Sequence, residues 1–567
     1  MPRQNAFSTS VDVPVLVIGG GPVGLTLAMD LGWRGIPVLL LEQRSQQRPD
    51  NPKCNTTNAR SMEHFRRLGC AEHIRAAGLP AEYPTDVVYL TAWTGNELAR
   101  VHLPSSSMRR QATGSLDEGW PTPEPQHRIS QLFLEPILAE HVRTFPGVTL
   151  RYGWKVEAID NEYDHVVVHA VEVDTGRRER ITARFAVGCD GGRSATRTAI
   201  GSRLEGDEML NKTVSVHFRS RDLIEQGRHG PAWMHWIVNP HGLSNTVALD
   251  GKEHWLVHII VLPGRDFDDV DIDAAMRAAY GWEIDREILG VERWVSRRMV
   301  ANRYRSGNVF LAGDAAHIWM PMGGFGMNAG IGDATHLAWI LTALLHGWGS
   351  GGLLDAYEAE RKPVGALVSR SAVDIALAIF AWAPVAMDPR IDEDSETGEE
   401  LRQTVREVIT HVQFREFNSV GVQLGYYYEA SPIVCYDDEP PPEFVFDRYT
   451  PTSRPGSRAP HLWLAEGTSL YDRLGRDFTL LRLGPAPSTT ASLEAAAADR
   501  GVPLTVLDAP DKAALRLYGH PLVLVRPDQH IAWRGTNVPG DPFSIIDRVR
   551  GAAAPIPREA HTPVEER

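Results

Sequence analysis

Gly19-Gly20-Gly21-Pro22-Val23-Gly24 sets glycines at the first, third and sixth places of a turn, which lets a backbone bend sharply and approach a pyrophosphate. A helix opening at Pro22 adds amide donors and a dipole that favours an anion. Glu42 follows Gly24 by 18 residues, where a carboxylate can hydrogen-bond a ribose hydroxyl. This motif does not separate a flavin from a nicotinamide dinucleotide, but two others do. In Gly313-Asp314-Ala315-Ala316-His317 the acid follows a buried strand and precedes small residues, so it can meet a ribityl hydroxyl. Pro321-Met322-Gly323-Gly324-Phe325-Gly326-Met327-Asn328 offers backbone amides with little side-chain obstruction, and a flat ring can lie against such a chain. Asp190-Gly191-Gly192-Arg193-Ser194-Ala195-Thr196-Arg197 crowds an acid, two glycines and two arginines at a strand end.

The elements that must position these residues are legible from hydrophobic patterning. Val13–Ile18 is a continuous apolar run suited to a strand buried on both faces. Pro22–Trp33 reads as a helix, and 36–41 as a second strand closing with Glu42, a βαβ unit of about 30 residues. Residues 83–124 are irregular and reach toward a substrate. Between 205 and 300, windows such as 232–238 and 254–262 alternate apolar and polar residues, which predicts an inserted antiparallel sheet. Helices are expected at 330–345, 353–383 and 400–418, with an acidic solvated loop at 388–400. Asp437-Asp438-Glu439-Pro440-Pro441-Pro442 has the composition of a stiff linker. The expected organisation is α/β: a Rossmann-type domain from 1–80, 110–204 and 300–360; a substrate sheet domain from 81–109 and 205–299; a helical segment 361–436; a linker 437–453; and a C-terminal domain 454–555.

Composition narrows the function classes. The 567 residues carry a formal charge of -14 and no basic run, which argues against a nucleic-acid partner. The longest apolar run, 375–387, is too short for a bilayer and contains Pro384, so no membrane partner is expected. The polar Met1 to Asp12 segment lacks the apolar core of a signal peptide. Cys54, Cys70, Cys189 and Cys435 lie far apart, so neither a metal site nor a disulfide framework is indicated, and a reducing cytoplasm is expected.

The three motifs occur together with Asn58-Ala59-Arg60-Ser61-Met62-Glu63, Arg128-Ile129-Ser130-Gln131-Leu132-Phe133-Leu134-Glu135 and Leu354-Asp355-Ala356-Tyr357-Glu358-x-Glu360-Arg361-x-Pro363. As a set they resemble the single-component flavoprotein aromatic hydroxylases, typified by para-hydroxybenzoate hydroxylase. Nearly the whole chain is similar to the phenol hydroxylase and 2,4-dichlorophenol 6-monooxygenase branch, with its relatives acting on aromatic polyketides. The resemblance implies bound FAD, transient NADPH or NADH, O2, a small aromatic substrate hydroxylated through a C4a-hydroperoxyflavin, and a homo-oligomer, expected as a dimer.

Residue by residue, the resemblance implies dinucleotide contacts at Gly19, Gly21, Pro22, Val23 and Gly24, adenosine ribose contact at Glu42 with Gln43 beside it, and Arg44 near the diphosphate. Arg128 and Gln131 fall at the ribityl region, and Asp190 and Gly191 in a motif used for FAD and nicotinamide alike. Asp314 holds the ribityl chain, Pro321 lies beside substrate and flavin as a catalytic position, and Gly324, Gly326, Met327 and Asn328 line the isoalloxazine edge. Three departures stand out. Pro52-Lys53-Cys54 replaces Pro-Arg-Ala, so Lys53 keeps the charge without the planar fork. Asn58 occupies the region where phenol hydroxylases place a catalytic aspartate, and it cannot be a base. Met320 replaces the first of two adjacent prolines. The stretches 472–481 and 523–534 resemble the thioredoxin-like appendix of this branch. No cysteine follows Cys435, which excludes redox exchange there and leaves a packing or oligomerisation role.

A phenol becomes reactive once ionised, so a base or acceptor near its hydroxyl is required. His235 is carried as the candidate, with His254, His258 and Tyr83 as alternatives; His317 belongs to the flavin motif and orients backbone. With one dinucleotide fingerprint, the nicotinamide visits transiently, the flavin swinging out to meet it. Trp233-Met234-His235-Trp236-Ile237-Val238 resembles the Trp-x-Trp-x-Ile-Pro signature of flavin halogenases only superficially, because its tryptophans are three apart and the proline is missing. Baeyer–Villiger-type or polyketide-directed oxygenation, and a flavin-binding protein without turnover, are the other readings. Trp233, Trp236 and Trp255 suit a flat apolar ligand.

Overall fold

The computed structural model describes residues 10–45, 51–111, 120–464, 467–485 and 488–553. Most of the polar N-terminal segment and the last residues of the C-terminal unit lie outside that set. Val13–Ile18 runs parallel between Val38–Glu42 and Arg178–Gly188, and the sheet extends through Val148–Tyr152 on one side and Val309–Leu311 on the other. A strand flanked on both sides and covered on both faces has no polar alternation, hence the unbroken apolar run. The helix Pro22–Trp33 lies where the glycine turn delivers it, and its partner Phe325–Leu345 begins earlier than its apolar pattern suggested. A Cβ at Gly330 would stand 2.5 Å from Val23 Cγ2 and 2.9 Å from Gly313 Cα, so glycine there lets the first and third motifs meet.

The second sheet also has eight strands, ordered His317–Ile318, Glu287–Ala301, Leu204–Arg219, His254–Val261, Gly242–Ala248, Met234–Asn239, Val87–Leu90 and Glu97–Val101. All neighbours are antiparallel except Met234–Asn239 with Val87–Leu90. Two strands and the helix Ser106–Gln111 thus come from the stretch read as irregular; four- and five-residue strands around a tight turn are too short to register as periodicity. The acidic stretch near 388–400 also differs from a loop. Ser395 Oγ accepts the Gly398 amide at 3.1 Å and caps the helix Glu396–Val412, whose first-turn Glu396 and Glu399 suit the dipole. The helix Gly352–Ala386 is long and apolar enough to cross a bilayer by length and composition. Half of its most apolar window is buried, and its residues Ala372, Ile379 and Trp382 join the core cluster of the second sheet.

The C-terminal unit is a four-stranded mixed sheet, Leu504–Ala509, Phe478–Leu483, Leu522–Val525 and Ile531–Gly535. One face makes its own core with Leu481, Val523 and Tyr518. The other merges with the first domain, where the Phe478 ring lies 6.2 Å from Trp339 and 6.0 Å from Trp348. Between the units runs a buried polar seam. Glu63 receives Arg60 at 2.7 Å, Thr122 at 2.7 Å and the fork of Arg458, while Arg526 grips Glu360 at 2.7 and 2.8 Å and Asp528 at 2.7 Å. The segment 437–453 has a linker's composition but packs closely: Asp437, at 2.7 Å, and Glu439 both engage the buried Arg534, and Phe446 is buried. Its charges are partners of a guanidinium that would otherwise be buried alone.

Removing the carboxylate of Glu63 would leave Arg60 and Arg458 without it in a dry interface. We expect Glu63→Ala to lower stability by about 3–5 kcal/mol, the usual cost of an uncompensated buried charge. Denaturant unfolding measures this, and a loss below about 1 kcal/mol would mean that the seam is solvated.

Candidate active site

The first motif is sterically fixed. Gly19 has φ +108°, and a Cβ there would stand 2.3 Å from the Cys189 carbonyl oxygen; a Cβ at Gly24 would stand 2.0 Å from that of Gly19. At Gly21 a Cβ would meet nothing within 4 Å, so the backbone faces open space beside a helix N-terminus that no side chain caps. This is a surface for a pyrophosphate. Glu42 accepts the Gly20 amide at 2.6 Å with Oε2, and the Arg44 amide and Nε at 2.9 and 3.1 Å with Oε1. Arg44 continues to Glu135 at 3.1 Å, and Gln131 donates to the same carboxylate at 2.5 Å. Glu42, Arg44 and Gln131 therefore form one chain through Glu135, whose carboxyl burial pushes above its ordinary range despite Arg44. Gln43 and Lys53 are exposed.

The second motif spends its acid on itself. Asp190 accepts Ser194 Oγ at 2.5 Å and both the amide and hydroxyl of Thr196 at 3.0 Å. What it offers a cofactor is the placement of Gly191, at φ +78° with open space where its Cβ would be. Arg197 reaches from this loop to the Gly192 carbonyl at 2.7 Å and the Ala315 carbonyl at 3.0 Å, tying the second motif to the third.

In the third motif the Asp314 carboxylate is exposed and has no partner among the described residues. The turn beneath it is held by Asp333, on the Phe325–Leu345 helix. Asp333 is fully buried and accepts the Gly313 amide at 3.1 Å, His317 Nε2 at 2.7 Å and Arg361 Nε at 2.8 Å. Burial opposes its ionisation, but His317 and Arg361 prevail and hold it below the usual carboxylate range. His317 also stacks on Trp319 at 4.4 Å, so it orients the turn. Gly323 and Gly324 follow at φ +70° and +66°, two successive left-handed residues that bring the uncapped helix start round to face Thr56. Asn328 Nδ2 donates to the carbonyls of Thr56 and Gly324 at 2.9 and 2.6 Å, and its Oδ1 accepts the Asn58 amide at 2.9 Å. Asn58 itself caps the helix Ala59–Arg67 through Ser61 at 2.8 Å, which is its use here. Pro321 is exposed; Gly326 and Met327 are half-buried at the helix start.

Arg128 stands at this loop with its guanidinium 3.7 Å over the Trp233 ring and Nη1 2.5 Å from Thr56 Oγ1. Burial lowers its pKa to about 9. The sheet above presents two faces. Tyr89 and Trp236, in register on adjacent strands, share the face on which Tyr89 meets Trp382 at 5.7 Å. His235 points to the opposite face, 4.1 Å from Trp93, on the side where Thr246 bonds Tyr280 of the helix Ile272–Tyr280. Burial pushes its pKa down to about 3. Strand alternation places His235 on the face opposite Trp236, because neighbouring residues of a strand face opposite ways. His258 shares the Trp236 face but bonds Ser215 at 2.7 Å, and His254 bonds His217 at 3.3 Å. The Tyr83 hydroxyl donates to the Ala232 carbonyl at 3.4 Å.

The residues present suit FAD: an open glycine turn for the diphosphate, a paired acid at the ribose position, an unpartnered acid at the ribityl position and bare amides at a helix start. A cradle of this kind running into a glycine loop under an aromatic sheet defines a flavin-dependent aromatic hydroxylase. Comparison with known proteins gives the same answer. Residues 12–372 match the FAD binding domain family and 452–553 the aromatic-ring hydroxylase C-terminal family, and the chain belongs to these FAD-dependent hydroxylases. It is 34% identical over 559 residues to the FAD-dependent monooxygenase apdD of Emericella nidulans, covering 92% of this chain and 88% of that one. Chromopyrrolic acid-soaked RebC with bound 7-carboxy-K252c matches with a TM-score of 0.87 at 35% identity over 96% of this chain and 100% of its own. Aklavinone-11 hydroxylase with FAD and aklavinone matches with a TM-score of 0.79 at 28% identity, over 96% and 99%. The protein is an FAD-dependent monooxygenase acting on aromatic or polyketide substrates.

Asp333, Glu135 and Glu416, the last described below, were not singled out from sequence. An aspartate inside the apolar 330–345 run was a signal, since a buried acid must be paired; Glu416 left none. Asp333→Asn should leave Arg361 uncompensated and loosen the Gly313 turn. We expect at least a tenfold weaker hold on FAD, read as flavin retained per polypeptide after gel filtration. Retention equal to wild type would show that the hub does not serve the cofactor.

Proposed function

We propose that this monooxygenase hydroxylates a phenolic ring, in a substrate large enough to span the face carrying Tyr89 and Trp236. The observation that carries the reading is the set of buried donors around the glycine loop. Arg128 Nε, the Tyr89 hydroxyl, Trp236 Nε1 and Trp319 Nε1 have no partner among the described residues. Donors of this kind, on aromatic walls, suit the oxygen of a flat phenol or phenolate better than an aliphatic chain.

FAD, when bound, supplies the oxidising chemistry, taking electrons from a nicotinamide and activating O2. The chain's own part is position and field. The uncapped helix start after Gly324 presents amides to the ring edge, Arg128 places positive charge beside it, and Trp233 and Trp319 keep water from that side. One dinucleotide cradle supports a nicotinamide that visits and leaves. A Baeyer–Villiger-type or polyketide-directed oxygenation uses the same frame and is the second reading, supported by aklavinone in a structural relative.

The test is NADH and NADPH oxidation by the FAD-loaded protein with substituted phenols, hydroxyanthraquinones and aklavinone, each product being weighed. Stimulated oxidation and one oxygen added at a ring carbon are expected. A product whose oxygen is inserted beside a carbonyl would favour the second reading, and no stimulation by any phenol would sink the first.

A further inference from the structure

The segment 373–451 lies between the two family matches and brings one carboxyl to the glycine loop. Glu416, 7% exposed on the short helix Phe414–Phe417, accepts the Gly323 amide at 3.2 Å with Oε1 and Gln413 Nε2 at 2.7 Å with Oε2. The Gln413 orientation is fixed, because its carbonyl oxygen accepts the Trp382 indole at 3.3 Å and an indole can only donate. Both Glu416 oxygens therefore meet donors. The charged and titratable groups felt by Glu416 are Arg128 from below and Tyr89 from the sheet above, and Arg128 forms no ion pair with it.

Three buried donors on the neighbouring elements have no partner among the described residues: Nε of Arg128, which is 93% buried, the Tyr89 hydroxyl, and Nε1 of Trp236, in register with Tyr89. Asn245 Oδ1, in register with Trp236, is an acceptor but cannot take a proton. A substrate hydroxyl brought to this point would meet Glu416 as its ionisable acceptor, and the phenolate left behind would meet Arg128 and Tyr89. The alternative on this face, His258, is two strands from Met234–Asn239 and is engaged with Ser215.

We propose that Glu416 is the catalytic base that ionises the substrate's aromatic hydroxyl, with Arg128 and Tyr89 holding the resulting oxyanion. The proposal rests on the phenolic reading above. The substrate O–H breaks, its proton passes to the Glu416 carboxylate, and the electron pair stays on oxygen and enriches the ring. After oxygen transfer, Glu416 returns the proton to that oxygen while the displaced ring proton leaves to solvent and aromaticity is restored. Burial raises Glu416 above the ordinary carboxylate range, which brings it closer in basicity to a phenol.

The test uses oxidised, FAD-loaded protein and a hydroxyanthraquinone whose absorbance reports its ionisation, titrated against pH with wild type, E416Q and E416D. In wild type the bound probe should ionise at least one pH unit below its free value. E416Q should move that ionisation upward toward the free value and lower kcat/KM by about 10²–10⁴, the usual worth of a positioned base; E416D should regain part of both. A purely structural Glu416 would change flavin content and Tm without moving the ionisation of the bound probe. E416Q that ionises the probe as wild type does, or an effect found in H258N and absent from E416Q, overturns the proposal while the phenolic reading stands. If E416Q does not fold, E416S decides: ionisation identical to wild type with unchanged kcat/KM is again the overturning result. A wild type that neither binds nor oxidises any phenol overturns both.

Discussion

Asp333 is the constraint on which the rest of this molecule depends. One buried carboxylate ties together two distant stretches of the chain, accepting the Gly313 amide and His317 from the third motif and Arg361 from the helix that follows. It joins the strand end that bears Asp314, the start of the crossing to the second sheet and the long helix Gly352–Ala386. A buried charge is tolerated only when its partners are held in place, so the cluster is stable as a unit or not at all. The helix that carries Asp333 also presents Asn328 to the 56–58 backbone, and the cofactor loop thereby inherits its position from the core.

The C-terminal unit belongs to the same mechanical system. Its Arg458 and Gln529 reach the helix Ala59–Arg67, the latter accepting Arg60 Nη1 at 2.6 Å. Gln529 is the one described non-glycine residue with a left-handed backbone, at φ +65°, a conformation that costs of order 1 kcal/mol. The strained turn aims Gln529 at Arg60, one turn from the Asn58 cap that meets Asn328. A domain without cysteines after Cys435 thus has a physical purpose in this chain, bracing the helix that abuts the flavin loop.

The sequence carried the parts of this design that have local signatures. Glycines that must turn or must lack a Cβ were legible, as were the buried parallel strands and the alternating strands of the second sheet. What escaped was of two kinds. Short elements such as Val87–Leu90 have too few residues to show a period. Long-range polar pairs leave no spacing rule at all, since Glu416 is 93 residues from Gly323, whose amide it accepts. Which face a histidine takes is equally hidden: alternation along Met234–Asn239 turns His235 toward Trp93 and away from the Trp236 side. The linker-like 437–453 shows that composition describes a segment's solubility, whereas Arg534 decided where its carboxylates went.

The two sheets divide the labour by the kind of atom they expose. Around the cofactor turn the protein presents backbone amides that glycine leaves bare, because a diphosphate and a ring edge need many weak donors at close range. On the face proposed for the substrate lie side-chain donors on rigid rings, Tyr89 and Trp236, and orienting a flat molecule there would need few contacts with little conformational freedom to lose. Arg128 stands where the two surfaces meet, half cation for the cofactor side and half stacking plane against Trp233. Among the described residues its guanidinium has no carboxylate within ion-pair distance, a state it shares with the buried Arg454, which is satisfied by the Glu439 and Pro455 carbonyls. Arg128 instead spends its charge on the Trp233 ring and on Thr56, whereas Arg60, Arg361 and Arg526 are paired with Glu63, Asp333 and Glu360.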